Sequence, residues 1–542
     1  MSEINRDFGE RKTASTAKKM KLEYIDILSS PINADLSQKI DLAATRTALA
    51  LPFFQIGKKI RVAVVDPERI ETLKFLAGMR KNGVETFVAL ASRAGLLAKI
   101  EQMETLRPRR PEEFRNENAE KNLRNYEVEM RALEKLGEEA HSFSAKENLN
   151  RIFVGALRTG ASDVHFQPNE RKVDLRFRVD GILQKIVELD HKIGDEILNQ
   201  LKYESKLRLN VANTPQDGRT SFLANDRKID VRVSTLPTEF GESAVCRILD
   251  SGKKVRTFAE LGFANTTLAN LEKAIQLRGG MILVVGPTGS GKTTTLYTLL
   301  ANLNNSERKI GTLENPVEYH LDNVVQSQID EESGYTFANG LRALLRQDPD
   351  VLMVGEIRDE DTAETAAQAA MTGHIMLSTL HTSSAAETIP RLLNLNLKPF
   401  VLNSALALVV AQRLVRRPCE KCARKIKPES GQIKFFEKIF AQIKLRNPSL
   451  EFELPKFLWQ TDGCEICGGT GYRGQIVIAE SFLVDAEIKK LILANAATAE
   501  IEKHIFETGA LSFAEDGITK VAAGSTTLEE IARVVDLDLD SI

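Results

Sequence analysis

A glycine-rich segment carries the clearest chemistry in this sequence. It follows the pattern G-x-x-x-x-G-K-[ST], in which backbone N–H groups surround the phosphates of a nucleotide. The lysine reaches the β- and γ-phosphates, and the last hydroxyl binds Mg²⁺. A short apolar run precedes the segment and helical apolar spacing follows it, which is the strand–loop–helix context that such a loop requires. We therefore predict an ATP site formed by Gly286, Pro287, Thr288, Gly289, Ser290, Gly291, Lys292, Thr293 and Thr294, with Thr293 as a ligand of Mg²⁺.

Three glutamates stand where nucleotide hydrolysis could use them. The segment Asp350–Gly355 predicts a buried strand that delivers Glu356 at its carboxyl end, where doubly wound sheets bind their ligands. We expect Glu356 to hold or polarise the Mg²⁺ shell. Glu314 and Glu318 lie on either side of Pro316, and each is a candidate for the group that positions water near the γ-phosphate. Ordinary loop carboxylates are the alternative for all three.

Two histidines flank a predicted strand downstream. His374 stands just before the strand and His381 at its far end. A histidine can donate a hydrogen bond to a phosphate and so sense its presence. Two structural histidines at strand ends are the more common outcome for such residues.

Four of the five cysteines form two C-x-x-C pairs, with 41 residues between the pairs. This spacing is typical of a tetrahedral zinc site. A cytosolic chain does not keep structural disulfides, and a redox site would not need two such pairs. The long separation predicts a subdomain over residues 416–475 with a helix at Phe435–Lys444, while Cys246 reads as a core thiol. We predict that Zn²⁺ is bound by Cys419, Cys422, Cys464 and Cys467.

The elements that must position these residues suggest several domains, since a chain of 542 residues forms roughly three or four. Residues 1–105 predict a small α/β domain, with a strand at Lys59–Pro67, a helix at Pro67–Asn82 and a strand at Glu85–Leu90. Residues 106–145 are highly charged and predict a linker that is partly helical.

A second α/β domain is predicted over residues 146–255, and the nucleotide-binding domain over 256–542. The second domain should contain a helix at Lys146–Thr159 and a turn at Pro215–Arg219. Its three strands are predicted at Asp174–Gly181, Lys228–Ser234 and Ser243–Leu249. In the nucleotide-binding domain, the apolar segment Pro399–Val415 predicts a buried helix.

The overall composition is that of a soluble protein, with a formal net charge of −2 that provides no global attraction for nucleic acid. The amino terminus has no apolar signal region. No run reaches the roughly 18 apolar residues that a membrane span needs. We expect a cytoplasmic protein that contacts a membrane only through partners.

These motifs together resemble one family, the secretion ATPases that assemble type IV pili and type II secretion pseudopili. The resemblance covers about residues 145–535. Besides the glycine-rich loop, it is carried by Ser162–Pro168, the PQDGR at 215–219, Val231–Thr238, Glu314–Tyr319, 345–359, the two histidines, Ala411–Arg416 and 463–474.

The resemblance implies an α/β fold class: a P-loop (RecA-like) ATPase core with a Cys₄ zinc subdomain, preceded by a PAS-like domain and a small amino-terminal domain. It further implies a homohexameric ring with nucleotide between two domains. By the same resemblance, catalysis is assigned to Lys292, Glu318, Glu356, His374, His381, Arg219 and Arg232. The two arginines would stabilise charge on the phosphates, and a solvated strand residue is the alternative for each.

The tetracysteine motif and the amino-terminal domain distinguish assembly motors from retraction motors in this family, so assembly through an inner-membrane platform protein is expected. A DNA-uptake or conjugation translocase is one alternative. A scaffold with weak hydrolysis is another, since Asn315 stands where the family usually has Asp. The arginine-leucine-glycine signature with which some relatives bind cyclic di-GMP is missing, and we expect no such binding.

Overall fold

The computed structural model describes residues 13–28, 30, 42–56, 59–81, 85–106, 133, 139–224, 227–249 and 255–537. The chain divides into two units, Met1–Glu120 and Lys121–Ile542. The predicted charged linker falls mostly outside the described residues, so its helical content stays a prediction. In the described part of the chain, no helix is long and apolar enough to cross a membrane.

A four-stranded sheet of order β1-β4-β3-β2 organises the amino-terminal unit. Its central strands β3 and β4 are parallel and joined by the helix Ile70–Lys81, which confirms the predicted strand, helix and strand. The strands are β1 (Glu23–Tyr24), β2 (Ala50–Ile56), β3 (Lys59–Val64) and β4 (Glu85–Leu90), and further helices span 13–20, Leu42–Ala48 and Arg93–Leu106.

The second unit begins with an antiparallel sheet of six strands in the order β7-β6-β5-β10-β9-β8. The helices Ala145–Thr159 and His191–Glu204 pack against each other and against the sheet. This confirms the predicted helix and three strands of the second domain. The strands are β5 (Asp163–Pro168), β6 (Val173–Val179), β7 (Ile182–Leu189), β8 (Gln216–Ala224), β9 (Arg227–Thr238) and β10 (Gly241–Leu249).

The prediction of a turn at residues 215–219 is wrong, because strand β8 begins at Gln216. The Gln216 amide caps the preceding loop instead, donating to the carbonyls of Arg208 and Val211. Glycine is needed at position 218 because the backbone of another segment lies close, and not because of a turn. A Cβ there would lie 2.6 Å from the Ser205 carbonyl oxygen. Arg219 therefore sits on a paired strand.

A seven-stranded sheet of order β13-β12-β14-β15-β11-β16-β19 forms the nucleotide-binding region. All neighbouring strands are parallel except β16 and β19. Strand β11 is buried along its whole length, as its apolar sequence predicts. The strands are β11 (Gly280–Val285), β12 (Ile310–Glu314), β13 (Val324–Gln328), β14 (Val351–Val354), β15 (Ile375–Leu380), β16 (Leu406–Pro418) and β19 (Tyr472–Leu483).

Helices cover both faces of this sheet, and a small insertion carries the cysteines. The insertion pairs β17 (Ala423–Ile426) with β18 (Leu458–Thr461), and its helix Ser430–Arg446 confirms the one predicted there. The other helices are Phe258–Leu261, Asn265–Ala274, Lys292–Leu303, Phe337–Leu345, Glu360–Met371, Thr388–Asn394, Pro399–Ala405, Ala486–Leu493, Thr498–Glu507, Phe513–Ala522 and Leu528–Val534.

The single buried helix predicted over 399–415 is wrong beyond its first two turns. The helix ends at Ala405, and the rest of the segment is the strand β16. An apolar run that is buried on both faces has no periodicity that distinguishes helix from strand. Pairing with β11 on one side and β19 on the other decides the outcome here.

A buried carboxyl on β19 makes the stability of this region depend on pH. Glu480 is 6% exposed and accepts a hydrogen bond of 2.6 Å from the Ala385 N–H. Burial raises its pKa from 4.5 to about 7. The pKa of Glu480 is higher in the folded than in the unfolded protein. Its contribution to the free energy of unfolding is therefore fully present below about pH 4.5 and is lost as the pH rises through 7.

We therefore expect Glu480→Gln, which keeps an acceptor oxygen without a charge, to raise the unfolding midpoint at pH 8 more than at pH 5. The gain at pH 8 corresponds to at most about 3 kcal/mol. Thermal unfolding at the two pH values measures it, with the exposed Glu437→Gln as control. Equal effects at both pH values would contradict the prediction.

Candidate active site

The glycine-rich loop leaves strand β11 and runs into the helix Lys292–Leu303. Its glycines at 286, 289 and 291 have φ angles of 147°, 81° and 86°, a region that favours glycine. At Gly286 the space is also closed, because a Cβ would lie 2.5 Å from the Gln412 carbonyl oxygen. The sequence pattern therefore reflects both backbone conformation and close packing against β16.

The Lys292 ammonium group lies within the loop. Its Nζ donates to the carbonyls of Gly286 at 2.8 Å and Pro287 at 3.0 Å. Burial lowers the pKa of Lys292, and the nearby Glu356 carboxylate acts in the opposite direction. Thr293 and Thr294 are exposed in the first helical turn, where backbone N–H groups lack intrahelical acceptors and attract phosphate.

Glu356 and His381 follow strands β14 and β15, next to the loop. Glu356 accepts a hydrogen bond of 2.6 Å from Arg358, and its second oxygen lies 3.6 Å from His381 Nε2. Burial and the charge of Lys292 lower the pKa of His381, although Glu356 raises it. The structure thus brings Lys292, Glu356 and His381 together at the carboxyl edge of the sheet, as expected.

His374 lies at the opposite edge. Strands β11 and β15 are parallel and in register, so His374 neighbours Gly280, to whose N–H its carbonyl is bonded. Its Nδ1 lies 2.9 Å from the Ala369 carbonyl oxygen. Six strand residues separate it from the other edge, or roughly 20 Å. Within one chain, His374 therefore lies far from the edge at which His381 stands, and the assignment of both histidines to catalysis stays a prediction.

Glu314 is also excluded as the water-positioning group, because it is 3% exposed and fully engaged. It accepts from Thr312 Oγ1 at 2.6 Å, from Gln326 Nε2 at 3.1 Å and, at short range, from the Tyr297 hydroxyl. These bonds satisfy a buried carboxylate. Glu314 therefore supports the end of β12 rather than reaching a substrate.

Glu318 is the second candidate carboxylate, and a pair of tyrosines supports the backbone that carries it. The rings of Tyr297 and Tyr319 pack with centroids 4.1 Å apart, and the Glu318 backbone N–H donates to the Tyr297 hydroxyl. Burial raises the pKa of Tyr319 to about 12, and the charges of Glu318 and Glu314 act in the same direction. The Tyr pair thus holds the backbone that carries Glu318.

The predicted arginines lie side by side on the sheet of the second domain, and one of them interacts with Glu318. Arg219 and Arg232 are register partners on β8 and β9, so their side chains share one face of that sheet. Burial lowers the pKa of Arg232, as does the charge of Arg219, while the nearby Glu318 raises it. Arg232 therefore lies close enough to Glu318 to interact with it electrostatically, and Arg219 is the strand neighbour of Arg232.

The four cysteines converge as predicted. The Sγ atoms of Cys419 and Cys464 are 3.9 Å apart, as are those of Cys422 and Cys467, and all four lie within 4.8 Å of one another. Thiolates placed about 2.3 Å from a tetrahedral Zn²⁺ would be separated by about 3.8 Å. The backbone N–H groups of Cys464 and Gly471 each donate to Cys467 Sγ at 3.1 Å, as they do to thiolate ligands. The cluster fits zinc.

Gln412 is a further residue of the site, which the sequence motifs do not single out. Although it is fully buried, its Nε2 donates to the Ser290 carbonyl at 2.6 Å and its Oε1 accepts from Thr295 at 2.8 Å. It thereby ties the loop and the helix to β16. An amide directly after the apolar run Leu406–Ala411 is the signal that could have identified it.

We predict that Gln412→Ala weakens ADP binding about tenfold, because the loop loses two buried hydrogen bonds. Calorimetric titration measures the affinity, with the exposed Gln368→Ala as control. An unchanged affinity in a folded Gln412→Ala protein would show that the loop holds its shape without this amide.

Two protein families match this chain in sequence. The family described as type II/IV secretion system protein matches residues 138–533, and the MshEN domain matches residues 20–109. The type II secretion system ATPase E of Vibrio cholerae serotype O1 is 42% identical over 386 residues, 71% of this chain and 74% of that protein. The type IV pilus assembly ATPase PilB of Myxococcus xanthus is 34% identical over 520 residues, 95% of this chain and 89% of that protein.

Solved structures show the same fold. The X-ray structure of the Legionella pneumophila ATPase DotB is 21% identical and matches with a TM-score of 0.53, covering 73% of this chain and 96% of that one. The phosphate-binding loop, the Cys₄ cluster and the sequence matches along most of the chain lead to one conclusion. This chain belongs to the family of type II/IV secretion system proteins and carries an MshEN domain at its amino-terminal end.

Proposed function

We propose that this protein is a hexameric motor that hydrolyses ATP to drive assembly of a type IV pilus or a type II secretion pseudopilus. One observation carries the proposal: Lys292 and Glu356 interact electrostatically beside the glycine-rich loop, and Glu318 interacts electrostatically with Arg232 of the second domain. We infer that these groups border one nucleotide cleft. Phosphoryl transfer needs this combination of a carboxylate and several cations.

Each group has a distinct role in the proposed reaction. Lys292 binds the β- and γ-phosphates, and Glu318 orients the attacking water and accepts its proton. Arg219 and Arg232 place positive charge against the phosphoryl group as negative charge develops in the transition state. His381 is placed beside Glu356, where it can report on the occupancy of the γ-phosphate position.

A Mg²⁺ ion bound with the nucleotide would supply positive charge to the phosphate oxygens. The Thr293 hydroxyl and the Glu356 carboxylate are hard oxygen donors of the kind that Mg²⁺ prefers, so these residues fit the ion. The hydrogen bond from Arg358 holds the Glu356 carboxylate in a defined orientation.

The motor reading also assigns partners. Closure of the second domain over the nucleotide is the motion that a ring of such subunits would pass to an inner-membrane platform protein. We place the protein in the cytoplasm, at the inner face of that membrane, through this partner. The names of the Vibrio cholerae and Myxococcus xanthus relatives support secretion or pilus assembly equally. Genes for prepilins and a platform protein beside this one would distinguish the two.

We expect Lys292→Ala and Glu356→Ala to abolish Mg²⁺-dependent ATP hydrolysis, the first by weakening phosphate binding and the second by disturbing the metal shell. Glu318→Gln should lower kcat by at least about 100-fold while ATP still binds. Phosphate release measures the rates, with the exposed Lys273→Ala as control.

If the wild-type protein hydrolyses no ATP even with its platform partner, the motor function is rejected. Hydrolysis that is stimulated by DNA and not by the platform protein would favour a translocase instead.

We also expect about one Zn²⁺ per purified chain, held by the Cys₄ cluster. Cys464→Ser should lose the metal and lower the unfolding temperature, since the ion cross-links the insertion. Elemental analysis measures the metal, and Cys246→Ala, which changes a buried thiol outside the cluster, should retain it. Metal-free protein with intact thiols would contradict the zinc site.

A further inference from the structure

A tight turn of the second domain contacts the residues that follow the second cysteine pair. Asp180 and Gly181, between β6 and β7, both have positive φ angles, 48° and 81°. The Asp180 carboxylate accepts a hydrogen bond of 2.6 Å from the Gly474 N–H. Gly474 lies in the segment 471–475, which follows the second cysteine pair and includes the first residues of β19; this segment is called the Gly474 loop below. A side chain at Gly181 would approach Gln475. The turn therefore rests directly on this loop.

The loop that receives Asp180 is firmly held. The Cys419 N–H donates to the Gly471 carbonyl, and the Gly471 N–H donates to Cys467 Sγ. The Tyr472 hydroxyl bonds to Thr527 at 2.8 Å, and the Arg416 guanidinium lies 4.2 Å from the centre of the Tyr472 ring. The loop thus offers a fixed platform beside the cysteine cluster.

Packing around the turn is incomplete. A cavity of about 240 Å³ lies between the end of the helix Ala145–Thr159, the turn and the loop, with Asp180, Cys467 and Tyr472 in its walls. Where the packing is loose, side-chain contacts constrain the angle between the domains less. The hydrogen bond at Asp180 is a directional contact across this end of the interface.

The same sheet carries Arg232 and Arg219 on strands β9 and β8, at the edge away from the turn. Register pairs join Arg178, Asp163, Arg247, Arg232 and Arg219 into one transverse row across β6, β5, β10, β9 and β8. Within it, Asp163 neutralises Arg247 through a contact of 2.9 Å. Arg178, two residues before Asp180, donates to the Gly181 carbonyl. The row thus runs from the docked turn to the cleft.

The two arginines lie far from the turn, so a small rotation of the domain about the turn would move them a long way. Neighbouring strands are about 4.8 Å apart, so β9 and β8 lie about 14 Å and 19 Å from β6. A rotation of about 10° around the turn would displace Arg232 by roughly 2.5 Å, which makes or breaks a hydrogen bond.

We propose that Asp180 is a positioning residue, the anchor about which the second domain turns to bring Arg219 and Arg232 to the nucleotide. This rests on the proposed ATPase function. The Gly474 loop is the fixed end, and the insertion that holds the cysteines sets the geometry of catalysis without touching the substrate.

Asp180→Ala and Asp180→Asn test the anchor, with the exposed Asp195→Asn as a matched control in the same domain. We expect Asp180→Ala to lower kcat about three- to tenfold, with the KM for ATP and the Kd for ADP within about twofold of wild type. Asp180→Asn, which keeps an acceptor oxygen, should be affected less. Zinc content should not change, and hydrogen exchange should quicken in the peptide that contains Gly474.

The decisive measurement is a double-mutant cycle. If Asp180 acts through the arginines, Asp180→Ala adds less than about twofold to the defect of Arg232→Ala. Additive effects would overturn the proposal, as would an unchanged kcat or a loss of zinc in Asp180→Ala.

Failure of the ATPase function itself gives a different result, because wild-type protein would then show no hydrolysis. In that case the Gly474 peptide still reports on the anchor: unchanged exchange in Asp180→Ala would overturn it.

Discussion

The parallel direction of strands β11, β14 and β15 is the constraint on which the site depends. Residues that follow parallel strands gather at one edge of the sheet. The phosphate-binding loop, Glu356 and His381 meet there for this reason, although 87 residues of sequence (294–380) separate the loop from His381. The same rule sends His374, only seven positions earlier, to the far edge.

Buried hydrogen bonding then decides which charged side chains are available for chemistry. Glu314 is saturated by three donors, whereas Glu318 stands beyond the paired tyrosine rings and faces Arg232. On the sheet of the second domain, Arg247 is neutralised by Asp163, while its neighbour Arg232 interacts electrostatically with Glu318. In both pairs, one residue supports the structure and leaves the other to act on the proposed substrate.

The cysteine insertion and the cleft are physically connected. The loop after the second cysteine pair is held by the cluster, by Thr527 and by Arg416, and it receives Asp180 from the second domain. Arg416 is itself fixed by a buried ion pair with Glu530. A metal site without a role in the reaction can therefore influence where the opposing arginines stand.

The sequence by itself determined the local features of this protein. The glycine loop, the Cys₄ spacing and the strands of alternating pattern each depend on neighbouring residues, and the structure has them where they were predicted. Segments buried on both faces escaped prediction, because β16 is a strand only through its partners β11 and β19. The separation of the two histidines, the burial of Glu314, the support from Gln412 and the docking of Asp180 were decided by tertiary structure alone. Each of these features depends on which groups from distant parts of the sequence lie next to the residue. Strand order and register decide that, and no local pattern does.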